Sequence, residues 1–201
     1  NEFGKSDTVV CLMPDGKELW KTGIPGTRLI ENPVVYKNRI YIPGFKNING
    51  NKLNSTVVLD TNGNILKEIG IAITPRHISV AKNEDLLVGG YNAGVGREMS
   101  GVFCYDKDFN LKWKLFFEAA IASPLMIGTD RIAFFGQQED ASGMFYMRKD
   151  GVYESRVSMS QAPITTLPPV YNPNGAVLFA GKRKMEIIRI DDSDFNKLIP
   201  W

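Results

Sequence analysis

The chain has 201 residues, 43% of them hydrophobic and 23% charged, with 24 basic against 22 acidic side chains. These are the proportions of a folded globular chain, and a formal charge of +2 gives no footing for nucleic acid or an anionic membrane as a partner. Two cysteines and one histidine, His77, exclude a disulfide scaffold and a multi-histidine metal centre, and no apolar run approaches the ~18 residues of a membrane-spanning segment.

The residues before Thr8 lack the charged and apolar regions of a signal peptide. From Thr8 the sequence reads TVVCLMPDGKELWKTGI, two apolar strands around an Asp-Gly turn. From Asn32 comes a second kind of hairpin, NPVVYKNRIYIPG, with a tight Lys-Asn turn and a closing glycine, Gly44. The two kinds then alternate. STVVLDTNGNILKEIGI starts at Ser55, HISVAKNEDLLVGG at His77, GVFCYDKDFNLKWKLFF at Gly101 and SPLMIGTDRIAFFG at Ser123. GMFYMRKDGVYESRVSM starts at Gly143, PPVYNPNGAVLFAG at Pro168 and KMEIIRIDDSDFNKLIP at Lys184. The equivalent turn positions Gly16, Gly63, Phe109, Gly151 and Asp194 are 42 to 47 residues apart. No segment has a helical period.

Four short strands every ~40–45 residues form one blade of a β-propeller, a unit that buries its faces only by stacking on neighbours. The expected fold is therefore all-β, a propeller of four-stranded antiparallel blades. An antiparallel sandwich is the alternative, but it does not account for five equivalent turns at fixed spacing. Full blades are expected at about 31–70, 76–117, 123–159 and 167–201, with innermost strands beginning near Asn32, His77, Ser123 and Pro168. Residues 1–24 form a partial blade holding only an outer hairpin. The expectation is a single propeller domain, or the C-terminal part of a larger one whose remaining blades come from upstream chain. A compact five-bladed ring is the second reading.

Met13-Pro14-Asp15-Gly16 with Trp20, Asp60-Thr61-Asn62-Gly63, and Asp106 with Trp113 resemble the pyrroloquinoline-quinone-type propeller repeat. The resemblance covers nearly the whole chain. It implies that the proline-led hairpins supply the inner strands and that the tryptophan past each turn docks between adjacent blades. Lys67, Ser155 and Leu198 stand at that position in the other repeats. The family's founding activity is quinone-dependent oxidation at a site with adjacent cysteines, calcium and an aspartate base. This chain has no adjacent cysteines, so the resemblance implies the fold without that cofactor, and no cofactor or metal is expected. It also implies a cell-envelope or secreted location.

Function is expected on the long connections, because tight turns serve the scaffold. Residues 43–55, 90–100 and 136–142 carry Lys46, Asn47, Asn49, Asn92, Arg97, Glu98, Gln137, Gln138 and Glu139. Arg76 and His77, with Asn32 and Ser123 at near-equivalent positions, are expected to ring a channel mouth. His77 also reads as a structural histidine, since no companion nucleophile is evident. Gly94-Val95-Gly96 precedes a strand and is no dinucleotide loop, and Asp191 to Asp194 reads as a polar turn. The leading expectation is a non-catalytic domain that binds or scaffolds a protein or other macromolecule, with no catalytic residue. The alternative is a carbohydrate-binding propeller or a glycosidase. That chemistry needs two opposed carboxylates, and only Glu31 lies near the mouth. Cys11 and Cys104 occupy the same repeat position and are expected to be free thiols.

Overall fold

The computed structural model describes residues 7–48, 51–91, 99–128, 130–138, 141–159, 170–172, 176–180 and 185–189. The chain divides into two compact units, Asn1–Ile78 and Ser79–Trp201. In the first, β1 (Asp7–Leu12) pairs with β2 (Glu18–Ile24) as a two-stranded sheet. The next sheet has the order β3 (Thr27–Leu29), β5 (Arg39–Ile48), β6 (Asn51–Asp60), β7 (Ile65–Gly70), and β4 (Val34–Tyr36) also pairs with β5. The divide falls within β8 (Thr74–Val80), which is followed in its sheet by β9 (Leu86–Tyr91), β10 (Met99–Tyr105) and β11 (Leu111–Glu118).

The fourth sheet has the order β12 (Ala120–Ile121), β14 (Arg131–Gln138), β15 (Ala141–Arg148), β16 (Tyr153–Met159), with β13 (Met126–Ile127) also on β14. The last holds β17 (Val170–Asn172), β18 (Ala176–Ala180) and β19 (Met185–Arg189). The fold is all-β, built of four-stranded antiparallel blades of the propeller type. The expected fourth strand of the last blade, and the expected strand start at Pro168, lie outside the described residues.

The repeat is exact in register. Cys11 faces Trp20, Val58 faces Lys67, Cys104 faces Trp113 and Tyr146 faces Ser155, and each pair is followed at once by a β-bulge. The turn beyond each bulge ends in a left-handed residue: Gly16 (φ 84°), Gly63 (85°), Phe109 (67°) and Gly151 (88°). In two of these turns an aspartate organises the loop. Asp60 Oδ1 accepts from the Asn62 and Asn64 amides at 2.9 and 2.8 Å, and Asp106 Oδ1 does the same for Asp108 and Asn110 at 2.9 and 2.8 Å. The Asn64 and Asn110 side-chain amides complete each arrangement. These hydrogen bonds hold both carboxyls below the usual aspartate range. A depressed pKa contributes stability above the unfolded value, near 3.8, that is lost as pH falls through the folded value. Thermal unfolding followed from pH 5 to pH 2 is expected to show a steeper acid loss in the wild type than in Asp60→Asn/Asp106→Asn. Equal slopes would remove these two carboxylates from the acid response.

Blade packing is what distinguishes this fold from a sandwich. In a sandwich one face of each strand meets water, so burial alternates. Here Ser55 to Leu59 of β6 and Ser100 to Tyr105 of β10 are buried without interruption. In the first unit Ile24, Ile40, Ile42, Val57 and Leu59 form a core joined by Val9, Trp20 and Leu29, so the β1–β2 hairpin covers one face of the next sheet. In the second unit Leu87, Val102, Cys104 and Trp113 meet Ile132, Phe134, Phe145 and Met147. Phe134 and Phe145 stack at 5.4 Å and 7°, and Phe117 lies 5.2 Å from Phe134.

Each described tryptophan of the repeat is half-buried and lands on the turn glycine of the following blade. A Cβ on Gly63 would stand 2.6 Å from Trp20 Cε3, and one on Gly151 would stand 2.8 Å from Trp113 Cδ2. Trp20 Nε1 donates to the Thr61 carbonyl at 2.8 Å, whereas Trp113 Nε1 is buried with no partner among the described residues. A second repeated contact carries its charges reversed. Lys112 pairs with Asp85 at 2.6 Å in one blade, and at the equivalent positions of the next Glu154 pairs with Arg131 at 2.9 Å.

The innermost strands start earlier than expected, and two are broken. β3 and β4 both pair with β5, and β12 and β13 both pair with β14. The breaks contain Asn32-Pro33 and Ser123-Pro124, where proline has no amide to give the ladder. Backbone bonds from Ile30 to Pro43 (3.1 Å) and from Ala122 to Phe135 (2.8 Å) carry the chain across.

Cys11 and Cys104 are both free thiols, the first half-buried and the second buried. Burial pushes the Cys104 thiol up to about 12, with the Asp85 charge adding to the shift. Alkylation at pH 8 is expected to modify Cys11 first and Cys104 only on unfolding. Prompt labelling of both in the native state would contradict the packing of β10.

Candidate functional site

The segment 43–55, expected as a loop, is mostly strand. Ladder pairing runs from Gly44 opposite Ser55 through Lys46 opposite Leu53 to Ile48 opposite Asn51. The β5–β6 pair thus has ten residues on each strand, against six in β9 and seven in β10. Three contacts support it. β3 runs beside Gly44 to Lys46, with Arg28 O 2.8 Å from where a Gly44 Cβ would be, so only glycine fits there. Lys46 forms an ion pair with Glu68, and Lys52 Nζ lies 4.4 Å from the centre of the Phe45 ring. In segment 136–142 the described residues likewise pair as strands, Gly136 opposite Gly143, Gln137 opposite Ser142 and Gln138 opposite Ala141.

Lys46 is half-buried, while Asn47 is exposed beside exposed Ile48 (47%) and Leu53 (52%). Gln137 is exposed on β14, and Gln138 ends that strand. Asn32 is exposed at the break between β3 and β4. Arg76 and His77 are half-buried on β8, and Arg76 forms an ion pair with Glu31. Ser123 is buried. Its Oγ accepts from the Phe135 amide at 2.9 Å, taking the place of a ladder carbonyl at the proline break. Asn49, Asn92, Arg97, Glu98 and Glu139 lie outside the described residues.

The structure therefore brings Arg76 to Glu31 and Lys46 to Glu68, and commits Ser123 to the scaffold. Among the described residues no three His, Cys, Asp or Glu side chains gather as a metal site, and no helix is long and apolar enough to cross a membrane. Sequence reasoning missed Phe45, Ile48, Lys52 and Leu53 as the side chains that give the β5–β6 arm its character. One signal was available: between Glu31 and Asp60 there is no acidic residue, while Lys37, Arg39, Lys46 and Lys52 all fall there.

No protein-family model matches the chain, and no curated protein matches it. Solved structures do. One, of a protein of unknown function from Bacteroides caccae, aligns with TM-score 0.59 at 13% identity, covering 96% of this chain and 73% of that one. Another, of a protein provisionally assigned as a gluconolactonase, aligns with TM-score 0.50 at 12% identity, covering 90% of this chain and 57% of that one. At such identities the likeness is one of fold.

Proposed function

We propose that this chain is a non-catalytic binding module that engages a protein partner through the face bearing the β5–β6 arm. The observation that carries the reading is the arm itself. Its paired strands run on past the end of β7, whose pairing with β6 stops at Ser55, and they expose Ile48 and Leu53 among basic and amide side chains. Apolar anchors surrounded by polar groups suit a protein surface, where a few buried side chains carry most of the affinity. The repeats are proposed to belong with the pyrroloquinoline-quinone type, supported by the tryptophan-on-glycine contacts at Gly63 and Gly151. The carbohydrate alternative rests on a neighbour's provisional assignment, and its one candidate acid, Glu31, is engaged by Arg76.

A panel of peptides and a glycan array, probed with the same labelled protein, test the proposal. The expected result is peptide or protein binding that weakens about tenfold or more in Ile48→Glu/Leu53→Glu, with the melting temperature held within a few degrees. Binding that ignores the arm and responds to Lys107 and Asp108 on the tight turns would overturn it.

A further inference from the structure

We infer that the open face of the β1–β2 hairpin is a docking face for one further blade of the same polypeptide, whose outer strand lays a tryptophan ring on Gly16. This goes beyond the binding role proposed for the β5–β6 arm and does not depend on it.

Two separate observations carry it, both resting on the shared register of the hairpins. Cys11, Val58 and Tyr146 are equivalent, so Val10 and Leu12 correspond to Val57 and Leu59 and to Phe145 and Met147. Val57 and Leu59 are 1% and 0% exposed, and Phe145 and Met147 are 4% and 0% exposed. In both cases the preceding blade covers them. Val10 and Leu12 are 45% and 58% exposed, with Leu19 at 59% on the same hairpin. Among the described residues the face has the apolar side chains of a blade contact and no blade packed on them.

The second observation is Gly16. It shares its left-handed backbone with Gly63 and Gly151, at φ 84° against 85° and 88°. Trp20 covers Gly63 and Trp113 covers Gly151 so closely that no Cβ fits at either. At Gly16 no atom of the described residues stands within 4 Å of the Cβ position. The glycine is therefore a tryptophan seat, and the chemistry of its occupant is set by the two seats already filled. The neighbouring structure from Bacteroides caccae, of which this chain spans 73%, has length for such a blade.

The test compares Gly16→Ala, Gly26→Ala and Gly63→Ala in the full-length protein. All three place alanine at positive φ, and Gly26 (φ 66°) likewise has no atom of the described residues within 4 Å of its Cβ position. The backbone cost is shared, so any excess reports a ring above the glycine. With Gly16 covered, Gly16→Ala lowers the melting temperature as far as Gly63→Ala, several degrees beyond Gly26→Ala. Parity with Gly26→Ala overturns the inference. Leu12→Lys beside Val35→Lys supplies a comparison free of backbone strain, since the two are similarly exposed at 58% and 63%. A covered face loses several degrees with Leu12→Lys alone, and equal small effects overturn it. Repeating the scans at two protein concentrations identifies the source. A loss independent of concentration supports a blade of the same polypeptide, and a loss that grows with concentration assigns the face to a second copy and overturns the stated occupant.

Discussion

Replacing Trp113 with alanine is expected to destabilise the protein by about 3–5 kcal/mol, the usual cost of truncating a tryptophan packed into a core. For a chain of this size that corresponds to a fall in melting temperature of roughly 6–20 °C. The ring reaches the Gly151 turn with its six-membered edge and packs against the core that holds Phe134 and Met147. Its Nε1 makes no hydrogen bond among the described residues, so the loss is one of packing alone. Trp113→Phe is accordingly expected to restore most of the stability, because it keeps an aromatic ring and forfeits no hydrogen bond. Trp20 differs, since Trp20→Phe gives up the bond to the Thr61 carbonyl. Thermal unfolding of the three variants by circular dichroism checks both statements. An unchanged midpoint for Trp113→Ala would mean that the ring does not join the two blades.

The second large effect is expected at Gly63. An alanine there pays about 1–2 kcal/mol for the left-handed backbone and about 1–3 kcal/mol more for crowding. The crowding is specific: the new methyl would stand 2.6 Å from Trp20 Cε3 and 2.7 Å from Thr22 Oγ1, whose hydroxyl donates to the Gly63 carbonyl at 2.6 Å. The total is about 2–5 kcal/mol. Because part of this cost is a clash with Trp20, the double variant Trp20→Ala/Gly63→Ala is expected to lose less than the sum of the single losses. A chemical-denaturation cycle measures the difference. Strict additivity would show that Gly63 answers to its backbone angle and not to the ring above it.

The proposed interaction surface is legible in the sequence only in outline. The sequence reads 43–55 and 136–142 as long loops, because asparagine and glycine are turn formers, whereas the described residues of both segments pair as strands. A ladder continues wherever a partner strand supplies its hydrogen bonds. At Lys46 that support comes from Thr27 on β3, 19 positions earlier in the chain and not evident from local composition. Ser123 illustrates the converse. Its equivalence in the repeat to Arg76 and His77 suggests a channel-mouth position, but only the folded ladder shows that the break leaves the Phe135 amide without a ladder carbonyl and that Ser123 Oγ accepts from it.

By itself the sequence determined the all-β class, the blade period and the register that makes Cys11 and Cys104 the same site. Those properties follow from local chemistry: alternating apolar residues, a bulge at a constant offset, and a turn whose left-handed position selects glycine in three of the four described repeats. What only the tertiary structure decided is which of these equivalent positions are filled. Gly16 and Gly63 are the same residue in the same turn, and no sequence rule separates them. The difference is a ring brought from another blade, and whether a ring arrives depends on contacts between segments some 40 residues apart in the repeat.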